Sequence, residues 1–287
     1  MTGVTLHSLP VFFRPEMLAH VASMSPSASK PADVMRSWSK LGVPLEMREP
    51  SPVTQEMLFR AHEASYVNDV LSCRADNGFG TRASDVAQSL PYTSGAMLAA
   101  ALEAIRNRAV AGAPCSGFHH AGYAHGSGFC TFNGLMIAAL ELKFSRLVER
   151  VGILDFDQHW GDGTHDIIEQ TASEGWIEHY SPQEYGSARV ADDFLREIPA
   201  IVSRFQDCGV ILYQAGADPH IDDPLGGWLT TEQLENRDAR VFEVARQIGV
   251  PIAWNLAGGY QTPLRKVLDI HDSTLRACWR AYGTVTG

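Results

Sequence analysis

Short apolar runs alternate with longer stretches of helical spacing along much of the sequence. The clearest apolar runs are residues 151–157, 209–215 and 251–256, and each predicts a β-strand. The second and third runs are almost continuously apolar, which is typical of parallel strands covered on both faces. The pattern therefore predicts an α/β fold with a mostly parallel central sheet, right-handed crossovers and helices on both faces.

Two of the helical stretches begin with recognisable capping residues. Asn133 is expected to cap a helix that runs towards Arg150. Thr230 and Gln233 resemble a capping box, which predicts a second helix that ends near Gly249. Each of these helices directly precedes a predicted strand, as the alternation of an α/β fold requires.

Composition narrows the class of protein. A chain of 287 residues fits one domain that covers residues 1–287, and the Ser- and Pro-rich segment 26–52 is expected to be an irregular surface segment. The net charge of −10 argues against nucleic-acid binding. No apolar run approaches the roughly 20 residues of a membrane helix, and residues 1–13 lack the pattern of a secretory signal. Five widely spaced cysteines, an odd number, favour reduced thiols and a cytoplasmic protein.

Polar residues and glycines follow all three predicted strands. Asp155, Asp157 and His159 lie at the end of the first strand. A Gly-Ala-Asp turn that ends at Asp218 follows the second strand, and the sequence Gly-Gly-Tyr at 258–260 follows the third. Open α/β sheets bind ligands beyond the carboxyl ends of their strands, so these residues are expected to share one site.

The acidic residues and the histidine after the first strand favour a metal site. In an extended strand Asp155, Asp157 and His159 would project to the same side, which is costly in a buried place unless a cation lies between them. Asp157, His159 and Asp218 would give three protein ligands and leave positions open for water and substrate, as in catalytic metal sites. Taken singly, each of these residues is more often a cap, a turn residue or a core histidine, and only the trio at strand ends favours the metal.

Two further motifs carry groups that are useful in catalysis. The tandem His119 and His120 are compatible with metal binding, with acid–base chemistry or with an ordinary loop. Asp155 and Asp162 are not among the proposed metal ligands, and these two aspartates suggest a carboxylate partner for each histidine. The paired glycines before Tyr260 allow a close approach of the backbone, and the phenol can donate to an oxyanion. The alternative for this last motif is a tight turn with a packing aromatic ring.

Taken in order, these segments resemble the histone deacetylase superfamily, which includes acetylpolyamine amidohydrolases and acetoin-utilisation proteins and has the arginase/deacetylase fold. The resemblance covers roughly residues 55 to 265, and this chain looks like a short, bacterial-type member. The matching segments are 62–67, 117–121, 128–133, 155–164, 215–218, 223–226 and 258–260. Several matches in the same order are far more specific than any single motif.

The resemblance implies a metal centre in which Asp157, His159 and Asp218 hold a catalytic zinc ion. Fe²⁺ or Co²⁺ would also suit an oxygen-rich site with one histidine. The family often holds a potassium ion beside the zinc, partly through the residue equivalent to Asp155. Its usual serine contribution is not evident near Trp176.

The resemblance also implies a role for each remaining motif residue. His120, paired with Asp162, would be the general base, His119 with Asp155 would act electrostatically, and Tyr260 would hold the oxyanion. For substrate binding, the resemblance implies that Phe129 forms one wall of the channel and that Gly128 offers its carbonyl. By a looser alignment, Tyr185 would form the opposite wall. Leu225 stands where polyamine-selective relatives carry a glutamate.

The expected activity is zinc-dependent hydrolysis of an amide that releases an acetyl or other acyl group from an amine such as acetyl-lysine. Hydrolysis of an acetylpolyamine or of a small-metabolite amide is the alternative. A binuclear manganese ureohydrolase fits less well, because His220 stands where such enzymes usually carry a second aspartate. An inactive module that binds acylated ligands also fits less well, because the full set of motif residues is present.

Overall fold

Seven strands form one all-parallel sheet in the computed structural model, which describes residues 4–182 and 186–284. The order of the strands across the sheet is β2-β1-β3-β7-β6-β4-β5. The strands are β1 (Leu9–Phe12), β2 (Leu45–Arg48), β3 (Val110–Ala113), β4 (Val151–Asp155), β5 (Ile177–Tyr180), β6 (Val210–Ala215) and β7 (Ile252–Leu256).

Helices connect the strands throughout the described ranges. They are α1 (Lys30–Trp38), α2 (Gln55–Ala61), α3 (Ala64–Leu71), α4 (Ser84–Asn107), α5 (Gly134–Phe144), α6 (Asp162–Gln170), α7 (Ala191–Ser203), α8 (Thr231–Ile248) and α9 (Arg265–Tyr282), with a short 3₁₀ turn at Pro15–Met17. Within the part of the chain that the structure describes, no helix is both long and apolar enough to cross a membrane. All five cysteines are free thiols.

The sheet is buried on both faces, as the apolar strand patterns predict. In β6, Val210 and Leu212 point into a core shared with α4 and α5, whereas Ile211 and Tyr213 point into a second core formed with α1, α7, α8 and α9. Every residue of β6 is buried. This alternation confirms the predicted α/β class, with helices on both faces of a parallel sheet.

The first predicted strand is shorter than its apolar run. Strand β4 ends at Asp155, and two tight turns follow it: Asp155 Oδ1 accepts from the backbone N of Asp157 at 3.1 Å, and Asp157 Oδ1 accepts from the backbone N of His159 at 3.0 Å. The expectation that these three side chains share one side of an extended strand was therefore wrong. Carboxylates that bond their own backbone two residues on favour turns over strands.

The two predicted helix starts are both confirmed. The Asn133 side chain accepts from the backbone N of Met136, although α5 ends at Phe144 and does not continue towards Arg150. At α8, the Thr230 side chain and the residue three positions later form a reciprocal capping box, and the helix stops at Gly249 in the left-handed conformation.

The segment 26–52 is not irregular, contrary to the expectation from its composition. It contains α1 and the edge strand β2, which pairs in parallel with β1. Lys30 of this segment is 1% exposed, and its Nζ donates to the carbonyl of Ala257, after β7, at 2.9 Å. Local composition misled here because burial is decided by contacts with residues more than 200 positions away.

Candidate active site

Three neighbouring strands, β4, β6 and β7, deliver the predicted site residues to one edge of the sheet. The loop after β4 carries Asp157 and His159, the loop after β6 carries Asp218, and the loop after β7 carries Gly258. Gly258 donates its backbone N–H to Asp157 Oδ2 at 2.9 Å. A Cβ at Gly258 would lie 2.2 Å from Asp218 Cγ, so only glycine allows this approach.

The three predicted metal ligands converge. The ligand atoms of Asp157, His159 and Asp218 all lie within 4.8 Å of one another. His159 Nδ1 is 3.1 Å from Asp157 Oδ1 and 3.0 Å from Asp218 Oδ2, and both carboxylates are buried. Burial and the adjacent Asp157 raise the pKa of Asp218 to about 7. Two buried carboxylates held this close repel each other, and a divalent cation offsets that repulsion, so the donor set fits a metal ion.

His220, which bears on the binuclear alternative, does not join this group. Its Nε2 lies 2.9 Å from Thr231 Oγ1, and its Nδ1 accepts from the backbone N of Asp222 at 3.0 Å. Both ring nitrogens therefore have protein partners. Among the described residues, one group of three or more metal-binding side chains converges, and it consists of Asp157, His159 and Asp218.

Each of the tandem histidines contacts its own aspartate. His119 Nδ1 lies 2.7 Å from Asp155 Oδ2, and His120 Nδ1 lies 2.6 Å from Asp162 Oδ1. The two imidazole centroids are 4.0 Å apart. Because Nδ1 of each ring faces a carboxylate, each Nε2 is directed away from that carboxylate. The His119 Nε2 lies 3.6 Å from Asp157 Oδ1.

The two histidines differ in the charge that their surroundings favour. Burial acts to lower the pKa of His119, but Asp155 and Asp157 raise it overall to about 9. Burial and the neighbouring His119 lower the pKa of His120, although Asp162 opposes this effect. In the metal-free protein the first imidazole therefore favours the cation and the second favours the neutral form.

Both oxygens of Asp155 already accept hydrogen bonds. Oδ2 faces His119, and Oδ1 accepts from the Gln214 Nε2 at 3.1 Å as well as from the backbone N of Asp157. His179 of β5 also lies near this carboxylate, and burial lowers its pKa to about 4. The potassium ion beside Asp155 stays a prediction.

Tyr260 is held by its backbone beside the group of Asp157, His159 and Asp218, called the metal group below. Its N–H donates to Asp223 Oδ2 at 2.8 Å, and Asp223 Oδ1 accepts from the backbone N of Leu225 at 3.0 Å. Burial, reinforced by Asp157 and Asp218, raises the pKa of the Tyr260 phenol well above its usual range. The hydroxyl is therefore a hydrogen-bond donor at any physiological pH.

A cavity with about 330 Å³ of free space lies in front of these groups, and its lining includes His119, Asp157, Tyr260, Gly128, Phe129 and Lys30. The ring of Phe129 lies 5.8 Å from that of Tyr260, between centroids. Gly128 and Phe129 both have positive φ angles, 52° and 65°, and the strained conformation of Phe129 is typical of a functional loop.

The remaining predicted substrate residues are less well placed. Tyr185 lies outside the residues that the structure describes. Leu225 is half-buried, and it is not among the residues that line the cavity. The carbonyl of Gly128, predicted to meet the substrate amide, accepts from the thiol of Cys130 at 3.4 Å.

Several residues that support the site were not predicted from the sequence. Lys30 lines the cavity from a segment that was expected to be irregular, and Gln214 lies near the carboxyl end of a strand that is otherwise mostly apolar. Asp223 lies within one of the matching segments, so its position in the sequence was a usable signal. Arg237 lies on the buried face of α8, where its charge alone marked it as unusual.

Comparison with known proteins identifies the family. The model of the histone deacetylase domain matches residues 26–181 and 177–276, so the chain belongs to that family. It is 26% identical over 262 residues to an uncharacterized protein of Picosynechococcus sp., covering 83% of this chain and 87% of the relative. It is 28% identical over 173 residues to histone deacetylase 2 of Arabidopsis thaliana, covering 53% of this chain but 44% of the relative. The crystal structure of the HDA15 HD domain has the same fold, with a TM-score of 0.77 and 20% sequence identity. The match covers 98% of this chain and 92% of that domain.

Family membership supports a hydrolase that acts on amides, within the deacetylase superfamily. The kind of substrate it supports is an acylated amine. The chain spans less than half of the length of the Arabidopsis protein that it matches.

Proposed function

We propose that this protein is a zinc-dependent deacylase that hydrolyses the amide of an acylated amine, with residues 1–287 acting as one catalytic domain. One observation carries the proposal. Asp157 of the group Asp157, His159 and Asp218 lines the same cavity as His119 and Tyr260. The ring of His120, which is paired with Asp162, lies 5.9 Å from that of His159 between centroids. This is the set that amide hydrolysis needs: a site for a Lewis acid, a base and an oxyanion donor.

Asp157, His159 and Asp218 would hold the zinc ion, and Fe²⁺ or Co²⁺ would suit the same donors. When bound, the metal acts as a Lewis acid that polarises the amide carbonyl and makes a water molecule more acidic. The chain contributes two buried carboxylates whose mutual repulsion favours a cation between them. Gly258 donates to Asp157 and thereby orients one of those ligands.

His120 would act as the general base. Its Nδ1 faces Asp162, so the proton stays on that nitrogen and Nε2 is free to accept one from water. Its lowered pKa keeps Nε2 unprotonated near neutral pH. The same nitrogen would then return the proton to the leaving amine as the C–N bond breaks.

His119 and Tyr260 would act through charge and hydrogen bonding. His119, buried and paired with Asp155, would act electrostatically on the reacting water. The protonated phenol of Tyr260 would donate to the oxyanion that develops on the amide oxygen. Phe129 would form one wall of the channel, with Gly128, Tyr185 and Leu225 as further substrate contacts.

An acyl-lysine side chain is the substrate that we favour, and an acetylpolyamine is the alternative. Leu225 supports this choice, because an uncharged residue at that place offers nothing to a second ammonium group. The free thiols of all five cysteines support a cytoplasmic location.

The proposal is tested by turnover of purified protein, stripped of metal and reloaded with Zn²⁺, on acetyl-lysine peptides, longer acyl-lysine peptides and acetylated polyamines. Release of free amine from an acyl-lysine peptide, lost on chelation and restored by Zn²⁺, is expected. The matched control is Asp218→Asn, which removes one ligand charge and should abolish both metal binding and turnover. A wild-type protein that binds Zn²⁺ and hydrolyses no member of the panel would refute the activity.

A further inference from the structure

Arg237 lies directly behind the metal group. It belongs to α8 and is completely buried. Its Nη1 donates to the carbonyl of Phe156 at 3.0 Å and to the carbonyl of Gly216 at 2.8 Å. Phe156 immediately precedes Asp157, and Gly216 lies two residues before Asp218. One guanidinium nitrogen thus joins the two loops that carry the carboxylate ligands.

These two loops approach each other too closely for any side chain to separate them. A Cβ at Gly216 would lie 2.6 Å from Asp157 Cα, 2.9 Å from Asp218 Oδ1 and 2.9 Å from the carbonyl oxygen of Phe156. The buried backbone carbonyls of Phe156 and Gly216 each need a hydrogen-bond donor. Arg237 supplies it from a single atom, so the spacing of the loops depends on where that atom is held.

The guanidinium is itself fixed from the other side. Its Nε donates to Asp238 Oδ1 at 2.8 Å. Asp238 accepts in turn from the hydroxyl of Tyr213 in β6 and from Thr274 Oγ1 in α9, the latter at 2.5 Å. The carboxylate balances the buried charge and prevents the guanidinium from shifting towards solvent. A sheet strand and two helices therefore set the position of Nη1.

We infer that Arg237 is a positioning residue for the metal site, because it fixes the separation of Asp157 and Asp218 through the carbonyls of Phe156 and Gly216. The inference rests on the proposed metal site and goes beyond it, since Arg237 itself touches neither metal ligand side chain by hydrogen bond. A lysine at this position keeps the charge, but its donors all lie on one nitrogen, whereas Arg237 reaches the two carbonyls from Nη1 and Asp238 from Nε.

The test measures the Zn²⁺ dissociation constant of metal-free protein by competition with a chromophoric chelator, for wild type, Arg237→Lys and Arg237→Met. Loss of an outer partner of metal ligands typically weakens metal binding by about 10- to 100-fold, and the same range is expected for Arg237→Lys. Thr230→Ala is the matched control. It removes the N-cap hydrogen bond of the same helix without removing a bond of Arg237 or Asp238, so its Zn²⁺ dissociation constant should stay within about twofold of wild type.

Circular dichroism and urea unfolding establish which variants are folded, and Arg237→Lys serves as the test if Arg237→Met does not fold. A folded Arg237→Lys protein with wild-type Zn²⁺ affinity would overturn the inference. So would a Thr230→Ala protein that loses affinity as strongly as Arg237→Lys, since the effect would then be general destabilisation. A wild-type protein that binds no Zn²⁺ would instead overturn the proposed metal site, and this inference with it.

Discussion

His119 and His120 are adjacent in the sequence but occupy different electrostatic environments. His119 is buried among Asp155 and Asp157, and these carboxylates overcome the cost of burying a cation. His120 is half-buried and lies against the first imidazole, which disfavours a second positive charge. The two side chains are chemically identical, so their different preferences for charge follow from where each one lies, and the separate roles proposed for them rest on this difference.

Tyr260→Phe tests the role of the phenol. The substitution keeps the ring that packs near Phe129 but removes the oxyanion donor. Loss of one such donor typically lowers the turnover rate by about 10² to 10³, and the same range is expected for kcat of this variant. Kinetics of a hydrolysed acyl-lysine peptide provide the measurement.

The Zn²⁺ affinity of Tyr260→Phe serves as its control. The backbone N–H of Tyr260 donates to Asp223, and this bond does not depend on the phenol, so metal binding should stay unchanged. A kcat within a few-fold of wild type would show that the phenol does not hold the oxyanion.

Helix α8 shows how one element can serve both stability and the site. Its N-terminus has the capping box of Thr230 and Gln233, and its C-terminus ends at Gly249 in the left-handed conformation. Its middle turn presents Arg237 and Asp238 to the interior. The two ends of the helix therefore affect its stability, whereas Arg237 in its middle turn is proposed to position the loops that carry Asp157 and Asp218.

Thr230→Ala tests this separation. The variant loses the side-chain acceptor for the backbone N of Gln233, which lies 3.2 Å from Thr230 Oγ1. The free energy of unfolding should fall by about 1 kcal/mol, as for other N-cap losses, while Zn²⁺ affinity is unchanged. Urea unfolding measures the first quantity. Thr230→Ser keeps the acceptor and should restore most of the stability, and a variant that lost metal affinity would contradict the separation.

The whole molecule buries histidines that are neutral in the folded state. His62 is fully buried, with Nδ1 near the carbonyl of Gly122 and Nε2 accepting from the backbone N of Asn133. Burial lowers its pKa to about 4, and burial does the same for His179. Both side chains titrate near 6.5 when the chain is unfolded. Unfolding therefore takes up protons between pH 6.5 and pH 4.

The metal-free protein should accordingly lose stability as the pH falls from 6.5 to 4. A histidine with a lowered pKa stabilises the fold at pH values above the pKa that it has in the unfolded chain. This stabilisation is lost as the pH falls towards its pKa in the folded chain, and for His62 the loss is on the order of 3 kcal/mol. His119 and His159 have raised pKa values of about 9 and 11, so their contribution is already complete below pH 6.5 and does not change in this window. Asp218 opposes the loss, because its raised pKa of about 7 lets the folded chain take up that proton in the same window. The buried His271, whose pKa is also lowered, adds to the effect of His62 and His179, so a net loss is expected. Urea unfolding at a series of pH values measures the loss.

His62→Gln should show a shallower fall over the same pH range, even though it starts from a lower stability. His7→Gln changes an exposed histidine and should follow the wild-type curve. Parallel curves for wild type and His62→Gln would show that another group controls the acid sensitivity.

Much of the fold and of the candidate site could be read from short stretches of sequence. Continuous apolar runs identified β6 and β7, because a strand covered on both faces has little choice of residue type. Asn133 and Thr230 marked helix starts through their own side-chain bonds. The turn after Asp155 was missed, since carboxylate-to-backbone bonds compete with strand extension and the apolar pattern does not report them.

The sequence by itself determined the fold class, the family motifs and the chemical types available at the strand ends, because these depend on local pattern and on the order of residues. Only the tertiary structure decided that Lys30 is buried at the cavity and that Arg237 joins two ligand loops. These contacts link residues from about 20 to more than 200 positions apart. Their formation depends on the packing of helices onto the sheet, which no local stretch encodes.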